Sequence, residues 1–197
     1  MVELEHRTIP TPRLTQYLND NPAVTVADFD GQLFGPVKRL VKADLHQDQG
    51  GLCVYCEQLL EANEGQVEHI KPKAGANAHP HLCFDYNNYA HSCINSKTCG
   101  QRKRDRLLPI EPGLGCNDQW AIVVDSGLIA PLPNLSRGQC HSVKQTRDML
   151  GLNADSNLVN ERKKWFNQAV EVLKVAPDDI DQFLQSAPFR VLITASI

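Results

Sequence analysis

Cys53-Val-Tyr-Cys56, Val67-Glu-His-Ile-Lys-Pro-Lys73, Asp85-Tyr-Asn-Asn-Tyr-Ala-His-Ser-Cys93 and Cys99-Gly-Gln-Arg-Lys103 follow one another in a single stretch of the chain. Two cysteine pairs bracket an acid–histidine dipeptide and an asparagine. Two residues separate Cys53 from Cys56, a spacing at which one tight turn presents two thiolates to a tetrahedral ion. Five residues separate Cys93 from Cys99, so residues 94–98 have to bulge out between them. Together the pairs point to a structural zinc on Cys53, Cys56, Cys93 and Cys99 rather than to disulfides, and the odd total of seven cysteines agrees. Cys83, Cys116 and Cys140 stand at no ligand spacing and read as core cysteines.

Between the pairs, Glu68 and His69 bring two kinds of chemistry to one place. A carboxylate is a hard ligand suited to Mg²⁺. An imidazole titrating near neutrality takes a proton from water. Phosphodiester hydrolysis uses both, a metal on the phosphate oxygens and a base for the attacking water. Strand neighbours point to opposite faces, so a turn of the backbone at the strand end is expected to bring both to one site. Asn88 is placed to fix the loop opposite His69 through its amide, with Asn87 as the competitor for that role. Lys97, Arg102, Lys103, Arg104 and Arg106 crowd a segment holding one acid, Asp105. With Lys71 and Lys73 they form an expected phosphate-backbone surface, carried chiefly by Lys71, Lys73, Arg102, Lys103 and Arg104.

Outward from this centre, residues 1–26 carry Pro10, Pro12 and Pro22 and read as irregular, with one turn of helix over 14–18. Leu33, Phe34, Val37, Leu40, Val41 and Leu45 recur at helical steps within 28–48, where Pro36 suits a first turn and Gly50-Gly51 a stop. Residues 67–70 read as a strand, 71–82 as a loop, and 99 onward as a helix. Residues 120–124 and 128–130 flank Asp125-Ser-Gly127 as a β-hairpin. Helices are expected over 141–151, ending at Gly151, and over 157–174, capped by Asp155 or Ser156. Asp178 or Asp179 starts a last short helix, and residues 189–197 look apolar and β-prone. Trp165 and Phe166 fit a core or interface better than a base-stacking platform. The domain reading is an N-terminal arm and helix (1–50), a core with a zinc knuckle (51–110), and a hairpin with a helical region (111–197).

The formal net charge of −3 excludes a protein that coats nucleic acid through overall charge and leaves room for a local basic patch. No apolar run approaches a membrane span and residues 1–20 are too polar for a signal peptide, so a cytoplasmic location is expected. No G-x-x-x-x-G-K-[ST] loop is present, so any ATP dependence requires a partner.

The order Cys-x-x-Cys, Glu-His-Ile-x-Pro-Lys, Asn-Tyr-x-x-x-Cys and Cys-Gly-x-x-Lys resembles the HNH endonucleases. More narrowly it resembles the HNH subunit (PtuB-like) of Septu-type anti-phage defence systems, also found beside some retrons. The stretch Leu150 to Arg162 adds to the likeness, although the specific motifs cover roughly residues 50–110. The resemblance implies an α+β fold with a ββα-metal (HNH) core and zinc knuckle between N-terminal and C-terminal helices. It implies His69 as general base, Asn88 as positioning residue, and Glu68 as ligand to a catalytic Mg²⁺ or similar divalent ion. The family's third motif position lacks a direct counterpart; Asn95, Gln101 and His91 are nearest, and Asn95 is taken as second ligand of the catalytic metal. The implied partners are nucleic acid, DNA favoured, and an ABC-type ATPase (PtuA-like). A zinc-ribbon binding module without catalysis would keep the cysteines and basic patch but would not need Glu68-His69; an RNA-cleaving toxin would use the same site on RNA.

Overall fold

The structure, a computed structural model, describes residues 1–197. It is α+β, with two separate two-stranded antiparallel sheets set among helices. The elements are α1 (Pro12–Asp20), α2 (Gly35–Asp48), β1 (Gln66–His69), β2 (Tyr89–Ser92), α3 (Cys99–Lys103), β3 (Trp120–Ile122), β4 (Ile129–Pro131), α4 (Arg137–Leu150), α5 (Ser156–Val175), α6 (Ile180–Gln185) and α7 (Arg190–Thr194). No helix is long and apolar enough to cross a membrane.

Local chemistry accounts for most boundaries. Pro12 sits in the first turn of α1, where its missing N–H costs nothing, so this proline starts a helix that the sequence suggested it would disrupt. A 3-10 turn, Val26–Asp30, precedes α2, which begins at Gly35-Pro36, where the proline was expected to suit a first turn. Gly50 and Gly51 then leave the helix with positive φ. Ser136 and Gln139 form a capping box that starts α4 four residues before the expected point, and Gly151 ends it in the left-handed conformation. The Asp155 carboxylate accepts from the Asn157 N–H and caps α5.

The C-terminal segment is helical, not β. Phe189, Leu192 and Ile193 stand at i, i+3 and i+4 and are buried together, a helical period that their β-branched neighbours disguise. The buried Glu57 carboxylate accepts from the N–H groups of Val191 (2.9 Å) and Leu192 (3.1 Å), which secures the first turn of α7. Its other oxygen lies 2.9 Å from the amino group of Met1.

Two apolar clusters meet around β1 and β2. One joins α1, the 3-10 turn and one face of α2 (Val37, Val41, Leu45) to Val67, Tyr86 and Tyr89. Complete burial of such a side chain contributes about 1.5–3 kcal/mol, so these three residues help to hold α2 against the sheet. The other joins the four paired cysteines, Trp120, and residues of α4, α5 and α7. The small β1–β2 sheet and α3 are thereby held from both sides.

Candidate active site and metal centre

The cysteine turn is built by backbone hydrogen bonds. The Cys53 N–H donates to the Gln58 carbonyl (2.8 Å) and the Glu57 N–H to the Cys53 carbonyl (2.9 Å), with Glu57 at φ +61°. Cys93 follows β2 directly and Cys99 opens α3, so both sheet and helix deliver their thiols to this turn. All four sulfurs are buried and lie within 4.8 Å of one another. Cys53 Sγ is 3.8 Å from Cys99 Sγ, and Cys56 Sγ 3.9 Å from Cys93 Sγ. A tetrahedron with Zn–S of 2.3 Å requires sulfur separations of about 3.8 Å, so the donor set fits a zinc ion. The Cys93 N–H also donates to Cys53 Sγ at 3.3 Å. Cys83, Cys116 and Cys140 lie outside the cluster.

β1 pairs with β2 in the register Glu68–Ala90 and His69–Tyr89, and its other edge is free. A cleft of about 570 Å³ runs along that edge, lined by residues 65–69 of the strand region, by α2 and by the loop after β1. The side chains of Glu68 and His69 alternate across the strand, yet both reach the cleft because it follows the edge; no terminal turn of the backbone is needed.

His69 is packed between the rings of Phe29 (centroids 4.5 Å) and Tyr89 (5.2 Å). Its Nε2 lies 2.9 Å from the Cys83 carbonyl, which can only accept, so Nε2 carries the proton. Nδ1 is then the bare nitrogen; it has no protein partner and is not sealed from the cleft. Burial pushes the His69 pKa down to about 4. The Cys83 carbonyl opposes that shift, and the Lys73, Lys103 and Lys38 ammoniums reinforce it. The imidazole is therefore neutral at pH 7.

Asn88 is buried and clamps two chain segments. Its Oδ1 accepts from the Lys71 N–H (2.8 Å), while Nδ2 donates to the carbonyls of Lys71 (2.9 Å) and Leu82 (3.2 Å). These bonds tie the chain leaving His69 to the segment that presents the Cys83 carbonyl. Asn87 is exposed, and only its backbone N–H is engaged, by Asp85.

Glu68 reaches the other face of the strand. Its Oε1 accepts from Lys103 Nζ at 2.9 Å, and its Oε2 lies against Gly100, where any Cβ would collide with it. Burial raises the Glu68 pKa, and the Lys103 ammonium only partly offsets that rise. Lys103 is fully buried and also donates to the carbonyls of His69 (2.9 Å) and Arg104 (3.4 Å).

The structure places several of the residues chosen from the sequence away from the cleft. Lys103 does not belong to a surface patch: the run of charges suggested a solvated face, but its ammonium is spent on Glu68 and two carbonyls. Arg102 turns away from the cleft, its Nε donating to the Asp148 carbonyl of α4 at 3.1 Å. Asn95 is no neighbour of Glu68; its Nδ2 donates to the capping Asp155 (3.2 Å) and its Oδ1 accepts from the Lys97 N–H. Lys73 and Arg104 do line the cleft, whereas Lys71 does not. The sequence reading missed Lys38, Arg39 and Lys42 of α2, which form the opposite wall. Their i, i+1, i+4 spacing was a visible signal, overlooked because the helix was read only for its apolar face.

A catalytic divalent ion finds a poor donor set here. Glu68 is the carboxylate beside His69, Lys103 already neutralises it, and no three metal-ligating side chains converge outside the cysteine cluster. The protein's own groups therefore fit a structural zinc but do not fit a protein-held Mg²⁺.

No family model matches the chain. It is 41% identical, over 98% of both chains, to a protein of Vibrio cholerae serotype O1 biovar El Tor assigned as the HNH endonuclease of retron Vc95. The chain belongs to the HNH endonuclease family. It is accordingly a hydrolase acting on nucleic acid.

Proposed function

We propose that this chain is the effector nuclease of a retron-linked anti-phage defence complex, hydrolysing phosphodiester bonds, DNA favoured, beside an ABC-type ATPase partner. The near full-length similarity to a retron-assigned relative supports the setting, and the absence of a P-loop in this chain is consistent with a separate nucleotide-binding partner. The observation that carries the chemistry is His69, held as the Nε2–H tautomer with a bare Nδ1 in a cleft lined by basic residues.

His69 Nδ1 takes the proton of the attacking water, and the Cys83 carbonyl holds the ring in the required tautomer. Asn88 positions the ring by bracing both legs of the loop. Lys73 and Arg104 face the phosphate backbone, and the cleft walls provide the fixed charge that an incoming diester meets. β1, β2 and α3 serve as the ββα core of the family, and Cys53, Cys56, Cys93 and Cys99 hold a zinc that braces it. The divalent ion expected for HNH enzymes would supply charge to the leaving oxygen; here Glu68 alone could approach it, against Lys103, and every step above uses the chain's own groups.

The test is cleavage by purified protein of supercoiled plasmid, duplex oligonucleotide and structured RNA, with and without Mg²⁺ or Mn²⁺, alone and with the neighbouring ATPase. DNA cleavage stimulated by the ATPase supports the reading. RNA cleavage alone converts it to the toxin reading, and binding without cleavage under every condition favours a zinc-ribbon module.

A further inference from the structure

We infer that Lys38 and Lys73 form a phosphate-binding pair for the substrate backbone, and that the Asp30 carboxylate between them is the anion a substrate phosphate displaces. The inference rests on the nuclease reading of the cleft and adds a subsite and a resident competitor to it.

Three elements converge at this point. Asp30 ends the 3-10 turn Val26–Asp30, Lys38 lies on α2, and Lys73 lies in the loop after β1. Lys38 Nζ is 2.7 Å from Asp30 Oδ1 and Lys73 Nζ is 2.7 Å from Asp30 Oδ2. Both ammoniums also lie against the Phe29 ring, 3.9 and 4.0 Å from its centroid, and that ring packs against His69 at a tilt of 58°. The aromatic contact fixes both cations beside the general base. Each oxygen of one anion thus receives one ammonium, the pattern that two non-bridging oxygens of a phosphodiester would accept in the same place.

Exposure identifies the movable partner. The two lysine side chains are 26% and 22% exposed, but the Asp30 carboxylate is 71% exposed. The fold is anchored next door by the buried Phe29, so Asp30 contributes charge rather than core packing. Exposed ion pairs are weak, and this one can be given up to a competing anion. The charge balance of the cleft points the same way. Its lining holds five lysine and arginine residues (Lys38, Arg39, Lys42, Lys73, Arg104) against three acids (Asp30, Glu68, Asp105), a surplus of two positive charges, on a chain whose net charge is −3. Asp30 offsets one of the two ammonium charges when no nucleic acid is bound, and it lies beside the catalytic base without belonging to it.

The experiment is anisotropy of a labelled duplex oligonucleotide titrated with parent, Asp30→Asn, Lys38→Gln and Lys73→Gln proteins across a salt series without added divalent ion, duplex integrity being checked on a gel. Circular dichroism and zinc content establish that each variant is folded. Asp30→Asn is expected to bind about two- to five-fold more tightly, the span of a surface ion pair. Each lysine variant is expected to bind more weakly and to flatten the slope of log K against log salt by about one unit. Unchanged or weaker binding by Asp30→Asn, or salt slopes untouched in both lysine variants, overturns the inference while leaving the nuclease reading in place if the parent still cleaves. A parent that neither binds nor cleaves nucleic acid, alone or with the ATPase, removes both.

Discussion

Replacing Lys103 by Met removes an ammonium from the most enclosed ionic contact of the cleft. The parent side chain is fully buried, and its partner carboxylate is 11% exposed. The substitution keeps the length and apolar stem but leaves Glu68 charged, nearly buried and unpaired, with the His69 carbonyl short of a donor. Breaking a buried pair from one side costs about 3–5 kcal/mol, whereas replacing both members by neutral groups is often neutral or stabilising. For a chain of this length that loss corresponds to a fall in melting temperature of about 6–20 °C. Glu68→Gln/Lys103→Met should recover most of it. The deficit of the single variant should also depend on pH. The folded-state pKa of Glu68 is raised by burial, so its contribution is favourable at low pH and is lost as pH rises through that value. Without Lys103 the carboxyl rises further, and the deficit should be smaller near pH 4.5 than at pH 7. Urea unfolding of parent, single and double variants at both pH values measures this. A single variant within about 1 kcal/mol of the parent at pH 7, or a double variant as unstable as the single, would show that the Glu68–Lys103 pair does not hold the site together.

Three further outcomes follow from the geometry of the site. The His69 pKa of about 4, depressed from an ordinary value of 6.5, makes the base neutral through the mildly acidic range; log kcat/KM against pH should have its acid limb near 4, and a limb near 6.5 would place the ring in a wetter setting than the structure gives it. Stability from burying the neutral ring is complete above the unfolded value and is lost as pH falls from 6.5 through about 4. Cys53→Ser removes one corner of the thiol tetrahedron; since structural zinc sites contribute on the order of 10 kcal/mol to folding, zinc content and melting temperature should fall together, and a variant with full zinc and parental melting would refute the cluster as a stabilising metal site.

Much of the local structure was legible in the sequence because it depends on neighbours along the chain. The alternation around Glu68, the Asp155 cap, the Gly151 stop and the Asp125-Ser-Gly127 turn each specify their own element within a few residues. Cys-x-x-Cys marked one half of the thiol cluster for the same reason. What escaped notice was convergence across the chain. Lys103 meets Glu68 from 35 positions away and Lys73 meets Asp30 from 43, and no local pattern announces either pair. A run of basic residues resolved into one buried lysine, arginines packed toward α4, and a single arginine facing the cleft. The basic wall of α2 was visible as spacing, but its meaning depended on packing that turned that face toward β1. The C-terminal helix was masked by β-prone residues whose i, i+3, i+4 burial answers to the surrounding core and to the Glu57 cap.

The central claim is that His69 Nδ1 is the base of a nuclease. Because the imidazole is packed against Phe29 and Tyr89, truncation to Ala would open a cavity and confuse chemistry with stability. His69→Gln fills the space and can still donate to the Cys83 carbonyl, but cannot take a proton. The deciding measurement is the single-turnover cleavage rate of parent and His69→Gln on the same nucleic-acid substrate, with zinc content and melting temperature determined on the same preparations. The predicted result is a folded, zinc-loaded variant slowed by about 10²- to 10⁴-fold; a variant that cleaves at the parental rate would contradict the assignment of His69 as the base.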